Sequence, residues 1–383
     1  MNILFLTWFD PRRTSNGAEQ RTHFLWKALK QVGNVQTVIV RQKRHGIIED
    51  DAANAVRTIG TNSPWLPLAV LDHLFVRLAD GCWLPWHARK TVLGLVGRPG
   101  TKYDLVVCRY LASMALTSAW KIAPCLVDVD DYPPALATSR GLPSWKRGLV
   151  SWWTRYLLRR SRGAWIPDAS QIPLVARTTP CLELPNLARA PGPGYRRDAP
   201  RKMQLMTVGH LRYEPNREGV DWFRSNAWPQ IRERFPDMRY VIAGRGAPAK
   251  DEKRWRETPG VDVRGFVDDL DALYAESLAV ATPVLTGAGT CVKVREAALY
   301  GRKILATPCA VRGLDEKSLR ELDVTVSENG ADFVAALEQL VQEDEAIRRD
   351  REERVAVSAH AFNDFERFTR QVKKLCDSAL QAP

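Results

Sequence analysis

Short apolar runs alternate with amphipathic stretches twice along this chain, and that alternation restricts the fold more than any other feature. NILFLT (2–7), VQTVIV (35–40), YDLVVC (103–108) and CLVDVD (125–130) have the length and composition of buried strands. Between the first two, SNGAEQRTHFLWKALKQVG sets Phe24, Leu25, Ala28, Leu29 and Val32 on one helical face and stops at Gly33. Residues 62–99 read as helical and irregular. The pattern then restarts: QLMTVGH (204–210), RYVIAG (239–244), VDVRGFV (261–267), LAVATPV (278–284), KILATP (303–308) and VTVSE (324–328) are strand-like, with helical stretches between them, the first at 218–235. Strands separated by helices form doubly wound parallel sheets. LPN (184–186) followed by LARAPGPGYRRDAP is the clearest linker. The expected organisation is a first domain over 1–186, a linker over 187–202, a second domain over 203–345 and a helical segment over 346–383 that can pack back on the first. Such a pair sets a ligand cleft between the domains, at the carboxyl ends of both sheets.

Charge is distributed unevenly over that frame. The 383 residues carry a net charge of +12. Residues 1–186 hold 24 Lys and Arg against 13 Asp and Glu, residues 187–383 hold 32 against 31, and ten of the thirteen Trp fall in the first half. A basic, Trp-rich half beside a neutral one fits two domains with different partners. Within it, SWKRGLVSWWTRYLLRRSR (144–162) places Trp145, Leu149, Trp152, Trp153 and Tyr156 in one helical stripe, with Arg147, Arg155, Arg159 and Arg162 largely opposite. A basic helix with Trp can lie in a membrane interface; alternatively the stripe packs on the sheet and the Arg side is wet. With a second Trp group (Trp65, Trp83, Trp86), the expectation is peripheral contact between the first domain and an anionic membrane. The seven Cys are scattered without a CxxC pair, which signals neither a zinc site nor a disulfide framework and fits a reducing cytosol. The N-terminal apolar run is too short for a signal peptide, and no run reaches transmembrane length. The expected location is the cytoplasm, at the inner face of the cell membrane.

TGAGTCVKVREAALYG (286–301) carries the chemistry. A strand ends near Leu285 and a helix begins near Val292, so Gly287, Ala288, Gly289 and Thr290 form the turn between them. Small residues let backbone N–H groups approach a ligand, the helix start adds partial positive charge, and Lys293 adds a full one. Glu296, one turn further, can accept two hydrogen bonds from a vicinal diol such as a ribose. The plain alternative is a glycine turn with a solvated Lys–Glu pair.

This segment, GAGTCVKVREAALYGRKILATPCAVRGLD, resembles the donor site of retaining GT-B glycosyltransferases of the glycosyl transferases group 1 (family 4-like) superfamily. TVGHLRYEPNREGVDWFRSNAWPQIRERFPDMRYVIAGRG resembles the opening of that family's second domain, VRGFVDDLDALYAES its base-binding turn, and NGAEQR (16–21) its first-domain turn toward the donor diphosphate. CLVDVDD (125–131) is also similar to the family. The resemblance implies an α/β GT-B fold, two doubly wound Rossmann-like domains facing across a cleft. It implies an enzyme that moves a sugar from a nucleotide-diphosphate sugar to a glycan or lipid-linked acceptor, with retention, in polysaccharide or glycolipid synthesis. Carried over residue by residue, it gives Glu296 the ribose hydroxyls and Lys293, Thr290 and Gly289 the diphosphate, with Gly287 and Ala288 in the same turn. Gly17 and Ala18 would offer N–H groups from the first domain, and Gly265, Phe266 and Val267 would line the base. Gly209 begins the first turn of the second domain, and Arg245 follows its next strand.

Three departures stand out. The first Glu of the family's E-x7-E pair falls at Ala288, where backbone amides can substitute. The family's Arg-and-Lys phosphate pair is replaced by GHLRYEPNR, so Arg212 or Arg217 has to serve. No His occurs over 88–209, and Arg109 is the nearest polar candidate at that place. A departing phosphate that takes the acceptor's proton makes a dedicated base unnecessary. Asp128, Asp130 and Asp131 are expected to orient the acceptor or cap a helix rather than bind metal, and no cofactor is expected beyond the nucleotide-sugar substrate. A sugar-nucleotide epimerase or a degenerate binding protein on the same fold is the main alternative. Nucleic-acid binding leaves the donor motifs unexplained and shows no known module.

Overall fold

A computed structural model describes residues 1–44, 46–62, 103–287 and 289–381. The expected helical region after Asn62, with Trp65, Trp83 and Trp86, lies outside the described residues. The chain forms two compact units: Met1–Pro185 joined by Phe365–Pro383, and Asn186–Asp364.

In the first unit, β1 (Asn2–Thr7), β2 (Asn34–Arg44), β3 (Gly46–Asp51), β4 (Val56–Asn62), β5 (Leu105–Arg109), β6 (Cys125–Asp128), β7 (Gly163–Ile166) and β8 (Cys181–Glu183) form one sheet in the order β3-β4-β2-β1-β5-β6-β7-β8. All neighbours are parallel except β3, which pairs antiparallel to β4 at the edge. Leu4 and Leu6 of β1, Val106 and Cys108 of β5 and Val127 of β6 enter one apolar core. The helix Gly17–Val32 follows β1; Asn16 caps it by accepting from Glu19 N, and Leu25, Ala28 and Leu29 are buried as the periodicity predicts. Phe24 stays half-buried against Phe365. The edge pair β3 and β4 and the short β7 and β8 went unread in the sequence, because their stretches are polar or too brief to show alternation.

In the second unit, β9 (Lys202–Val208), β10 (Arg239–Ala243), β11 (Val261–Gly265), β12 (Ser277–Thr282), β13 (Lys303–Ala306) and β14 (Val324–Val326) form a sheet in the order β11-β10-β9-β12-β13-β14, parallel throughout. One face packs Phe223, Trp228, Ile231 and Phe333, and the other packs Val294, Leu299 and Tyr300. The single helix expected over 218–235 is two, Glu214–Asn226 and Trp228–Arg234. Pro229 has no N–H for a carbonyl one turn back, and its ring crowds that turn.

Two boundaries differ from expectation. The stretch read as a linker is fastened to the second unit: Ala188 N donates to Asn363 Oδ1 at 2.8 Å, Gly192 N to Asp271 Oδ2 at 2.9 Å, and Tyr195 Oη to Tyr300 O at 2.8 Å. Its Arg201 shares Glu352 with the fully buried Arg302, at 2.6 and 2.9 Å. Pro and Gly mark irregular backbone there without making it loose. The segment 346–383 does not stay together. The helix Glu345–Phe362 belongs to the second unit, whereas Phe365–Gln381 belongs to the first and buries Phe368, Val372, Leu375, Cys376 and Ala379. Leu375 lies on Gly163 of β7, where an added Cβ would meet its Cδ1 at 2.9 Å. Leu375→Ala therefore removes core from the first unit through the far end of the chain. Such truncations cost about 2–5 kcal/mol. In calorimetry the transition of the first unit should fall while that of the second stays in place.

Candidate functional site

The order of the second sheet reverses beside β9: the chain winds from β9 outward to β11, then returns to β12 and continues the other way. Loops leaving the carboxyl ends of β9 and β12 diverge at such a point and leave a crevice. Here the loops are drawn tightly together. Gly244, after β10, has φ +145°, and a Cβ there would run into the Gly209 carbonyl, so only glycine fits. A Cβ at Gly209 would stand 3.1 Å from both Lys293 Cε and Asn216 Nδ2. Gly209, Lys293 and the loop after β9 thus meet at one place. Lys293 Nζ donates to Asn216 Oδ1 at 2.5 Å, and Asn216 Nδ2 to His210 O at 2.9 Å.

The turn after β12 is held from outside. Gly287 has φ +149°, and its carbonyl accepts from Arg312 Nη1 at 2.6 Å. Thr290 Oγ1 accepts from Asn186 Nδ2 at 2.9 Å. Gly289 follows Ala288, which lies outside the described residues. Lys293 sits in the first turn of the helix Val292–Leu299 and Glu296 one turn on. Asn186, Asn216 and Arg312 went unread in the sequence. Asn216 lies in the quoted GHLRYEPNR stretch, but Asn186 sits where a linker was expected, and nothing local marks Arg312.

Glu296 is only 6% exposed. Burial pushes its carboxyl up to about 7, against the pull of Arg189 and Lys293 and with a further push from Asp271. Arg189 Nε lies 3.8 Å from Glu296 Oε1. A buried carboxyl poised near neutral pH makes folding pH-dependent. Below the ordinary value of 4.5, folded and unfolded chains both hold the proton; between 4.5 and about 7 the folded chain keeps a proton that the unfolded chain has lost, so stability falls as pH rises and the loss is complete above about 7. Each unit of difference is worth about 1.36 kcal/mol, so the loss is about 3 kcal/mol once complete. Glu296→Gln should therefore gain on the native chain by about that amount between pH 4.5 and 8, read by urea unfolding; a gap that stays constant with pH would contradict the buried-carboxyl account.

The remaining donor-side candidates divide by exposure. Arg212 and Arg245 are exposed, and the Arg245 guanidinium lies 5.3 Å from the centre of the Phe266 ring, itself 56% exposed. Gly265 has φ +67° and ends β11; Val267 is half-buried beyond it. Arg217 turns back on its own loop, donating to Arg212 O at 2.7 Å and lying 3.6 Å from Asp251. Of the two Arg offered for phosphate, Arg217 is thus engaged in holding the loop. Gly17 and Ala18 begin the helix after β1, in the first unit.

In the first unit the charged candidates form a closed group. Arg21 Nε donates to Asp128 Oδ2 at 2.9 Å and its Nη1 to Leu184 O at 2.9 Å. Arg109 Nη2 donates to Asp130 Oδ2 at 2.7 Å; its Nη1 lies 3.2 Å from Asp128 Oδ2 as an ion pair without hydrogen-bond alignment. Arg21, Arg109 and Asp128 are essentially inaccessible. Arg109 and Asp128, expected on the acceptor side, therefore have no surface for a ligand here and position their neighbours instead. Asp130 keeps some exposure. Burial opposes its charge, but Arg109 and Arg21 more than offset that and hold the carboxyl below its usual range. Asp130 and Asp131 edge a cavity of about 130 Å³ walled by Leu111, Val129, Val150, Trp153 and Leu157.

The helix Ser144–Leu158 buries Val150, Thr154, Leu157 and Leu158, and of the aromatic stripe only Trp153 and Tyr156 pack against the core, half-buried. Trp145 is 62% exposed, Trp152 55% and Leu149 39%, so the alternative in which the whole stripe packs on the sheet does not hold. Trp153 and Tyr156 stack on one another at 5.1 Å beside them. Among the described residues, no helix is long and apolar enough to cross a membrane, and no three His, Cys, Asp or Glu side chains gather as a metal would require.

Comparison with known proteins agrees with this geometry. The family described as glycosyl transferases group 1 matches residues 202–343. No curated protein matches the chain. Among solved structures, the sucrose-phosphate synthase of Thermosynechococcus elongatus superposes with a TM-score of 0.71 at 15% identity, over 98% of each chain. Anabaena HepE in complex with UDP-glucose does so at 0.63 and 14%, over 99% of this chain and all of that one. A trehalose-6-phosphate synthase studied with bisubstrate glycomimetics of retaining transfer does so at 0.65 and 12%, over 98% and 99%. The chain has their GT-B fold.

Proposed function

We propose that this chain, whose residues 202–343 match the glycosyl transferases group 1 family, transfers a sugar from a nucleotide-diphosphate sugar to a glycan or lipid-linked acceptor with retention. The observation that supports this best is the meeting of Gly209, Asn216 and Lys293 where the second sheet reverses, with Glu296 buried one helical turn behind. Lys293 and the main-chain N–H groups of Gly287–Thr290 would hold the diphosphate, with exposed Arg212 as the further cation. Glu296 would accept the ribose hydroxyls, and Gly265, Phe266 and Val267, with Arg245, would flank the base.

In the reaction the bond from the anomeric carbon to the phosphate oxygen breaks, and charge grows on the leaving diphosphate. Preorganised cations and amides lower the barrier because they are already aimed at that charge. The acceptor oxygen bonds to the anomeric carbon on the face the diphosphate leaves, and its proton passes to the departing phosphate. The reading assigns no step to a metal and needs neither a carboxylate at position 288 nor a His. Asp130 and Asp131, at the edge of the apolar cavity, are the acceptor-side groups with surface to offer.

Loss of one charge-stabilising donor costs roughly 2.7–4 kcal/mol. Lys293→Ala should therefore lower kcat by about 10²–10³-fold and abolish the rise in melting point given by the cognate member of a UDP, GDP, ADP and TDP panel. Product analysis separates a new glycoside from a free or epimerised sugar; either of the latter would favour an epimerase or a degenerate enzyme.

The exposed Trp145, Leu149 and Trp152, with exposed Arg147 and Arg155 on the same helix and Arg159 just after it, support contact with an anionic membrane surface. On this reading the protein works at the cytoplasmic face of the membrane, on lipid-linked acceptors in polysaccharide or glycolipid synthesis. Vesicles containing phosphatidylserine should sediment the protein at low salt. The triple variant Trp145→Ala, Leu149→Ala, Trp152→Ala should stay in the supernatant, and equal sedimentation of both would remove the membrane reading.

A further inference from the structure

We propose that Arg189 is a positioning residue for the nucleotide site, holding the Glu296 carboxylate in its charged, ribose-accepting form. The proposal rests on the reading that Glu296 receives the ribose hydroxyls. Arg189 lies in the stretch that the sequence presents as a linker, yet its guanidinium is fixed in place. Nη2 donates to Tyr300 Oη at 2.8 Å and to Asp271 Oδ1 at 3.0 Å, and Tyr300 Oη itself donates to Asp271 Oδ1. Gly192 N holds the other Asp271 oxygen at 2.9 Å. With one edge of the fork pinned, Nε is presented to Glu296 Oε1 at 3.8 Å. A pinned guanidinium loses less side-chain freedom when it stabilises a neighbour than a loose one does.

The other groups that act on Glu296 do not replace it. Lys293, on the same helix, is turned to Asn216 at 2.5 Å and is needed by the diphosphate. Asp271 carries the same charge as Glu296 and opposes its ionisation. Tyr300 is engaged with Asp271, and Tyr274, stacked on Tyr300 at 3.9 Å, has a buried hydroxyl with no hydrogen-bond partner. Burial alone drives the carboxyl toward its neutral form. Arg189 is the cation placed to resist this without serving the phosphates. An ionised Glu296 can accept from both ribose hydroxyls, whereas a protonated one must find an acceptor for its own proton. Nucleotide affinity should accordingly fall as pH falls through about 7, where burial has brought this carboxyl. Without Arg189 the midpoint should move upward.

The test is calorimetric titration of UDP, the nucleotide carried by the similar HepE structures, between pH 5.5 and 9. Wild type, Arg189→Gln, Arg189→Lys and Glu296→Gln are compared. The UDP terminal phosphate titrates near pH 6 itself, so the Glu296→Gln profile supplies the nucleotide's own slope. With the midpoint displaced by about one unit, Arg189→Gln should bind about fivefold more weakly at pH 7 and about tenfold more weakly toward pH 5.5, and recover toward wild type at pH 9. Arg189→Lys should keep most of the affinity. If Arg189→Gln matches wild type at every pH, or stays weak at pH 9 and so has damaged the site generally, the positioning role is overturned. If Glu296→Gln itself binds UDP as wild type does, the ribose reading fails instead, and the Arg189 proposal with it.

Discussion

Strand direction is the constraint from which the rest of this structure follows. The six strands of the second sheet all run one way, so all of their carboxyl ends, and the turns that leave them, lie along a single edge. Parallel pairing also forces a crossover between neighbours, and the helices that supply it cover both faces and build the two apolar layers. Because the winding reverses at β9 and β12, residues far apart in sequence arrive side by side: Gly209 after one strand, Lys293 after the other. Gly244 then lets its backbone approach the Gly209 carbonyl more closely than a side chain would permit, and Gly209 leaves room for the side chains of Asn216 and Lys293.

The two units treat buried charge differently. In the first, two Arg and two Asp interlock at the carboxyl ends of β5 and β6 with a helix residue, Arg21, closing the group. Such a set is tolerable in low dielectric because each charge has an opposite neighbour and most polar atoms have partners. In the second, Glu296 is buried with Arg189 as its ion-pair partner, at a distance too long for a hydrogen bond, and that cation is shared with Asp271 and Tyr300, while Lys293 acts on it from one turn away. The carboxyl is left short of partners where a diol would supply them. A structural ion pair would have been closed; a ligand site stays incomplete until the ligand arrives.

Much of this was legible in the sequence, and the pattern of what was not is physical. NILFLT, RYVIAG and LAVATPV were readable because buried parallel strands must be short and apolar. The 286–301 turn was readable as a strand-to-helix turn because small residues there let the backbone turn sharply and a helix starts at Val292. The linker reading failed at 187–202 because Pro and Gly report irregular backbone, whereas attachment depends on partners such as Asn363, Asp271 and Glu352 that lie far along the chain. For the same reason Arg189 and Asn216 carried no sequence signal. The Trp145–Tyr156 stripe was read correctly as a stripe, but periodicity alone does not say which face meets the core; Val150, Thr154, Leu157 and Leu158 took that place. Asp128 and Arg109 looked available because a strand end is normally wet, and only the tertiary pairing with Arg21 and Asp130 seals them.

The central claim is that the turn after β12 and the helix it enters form a nucleotide-sugar site, and a crystal structure with the cognate nucleotide diphosphate bound tests it most directly. The account predicts phosphate oxygens about 3 Å from Lys293 Nζ, main-chain N–H groups of the 287–290 turn on the same phosphates, and both ribose hydroxyls on the Glu296 carboxylate. A nucleotide seated elsewhere, with Lys293 still on Asn216 and Glu296 still facing only Arg189, would contradict it.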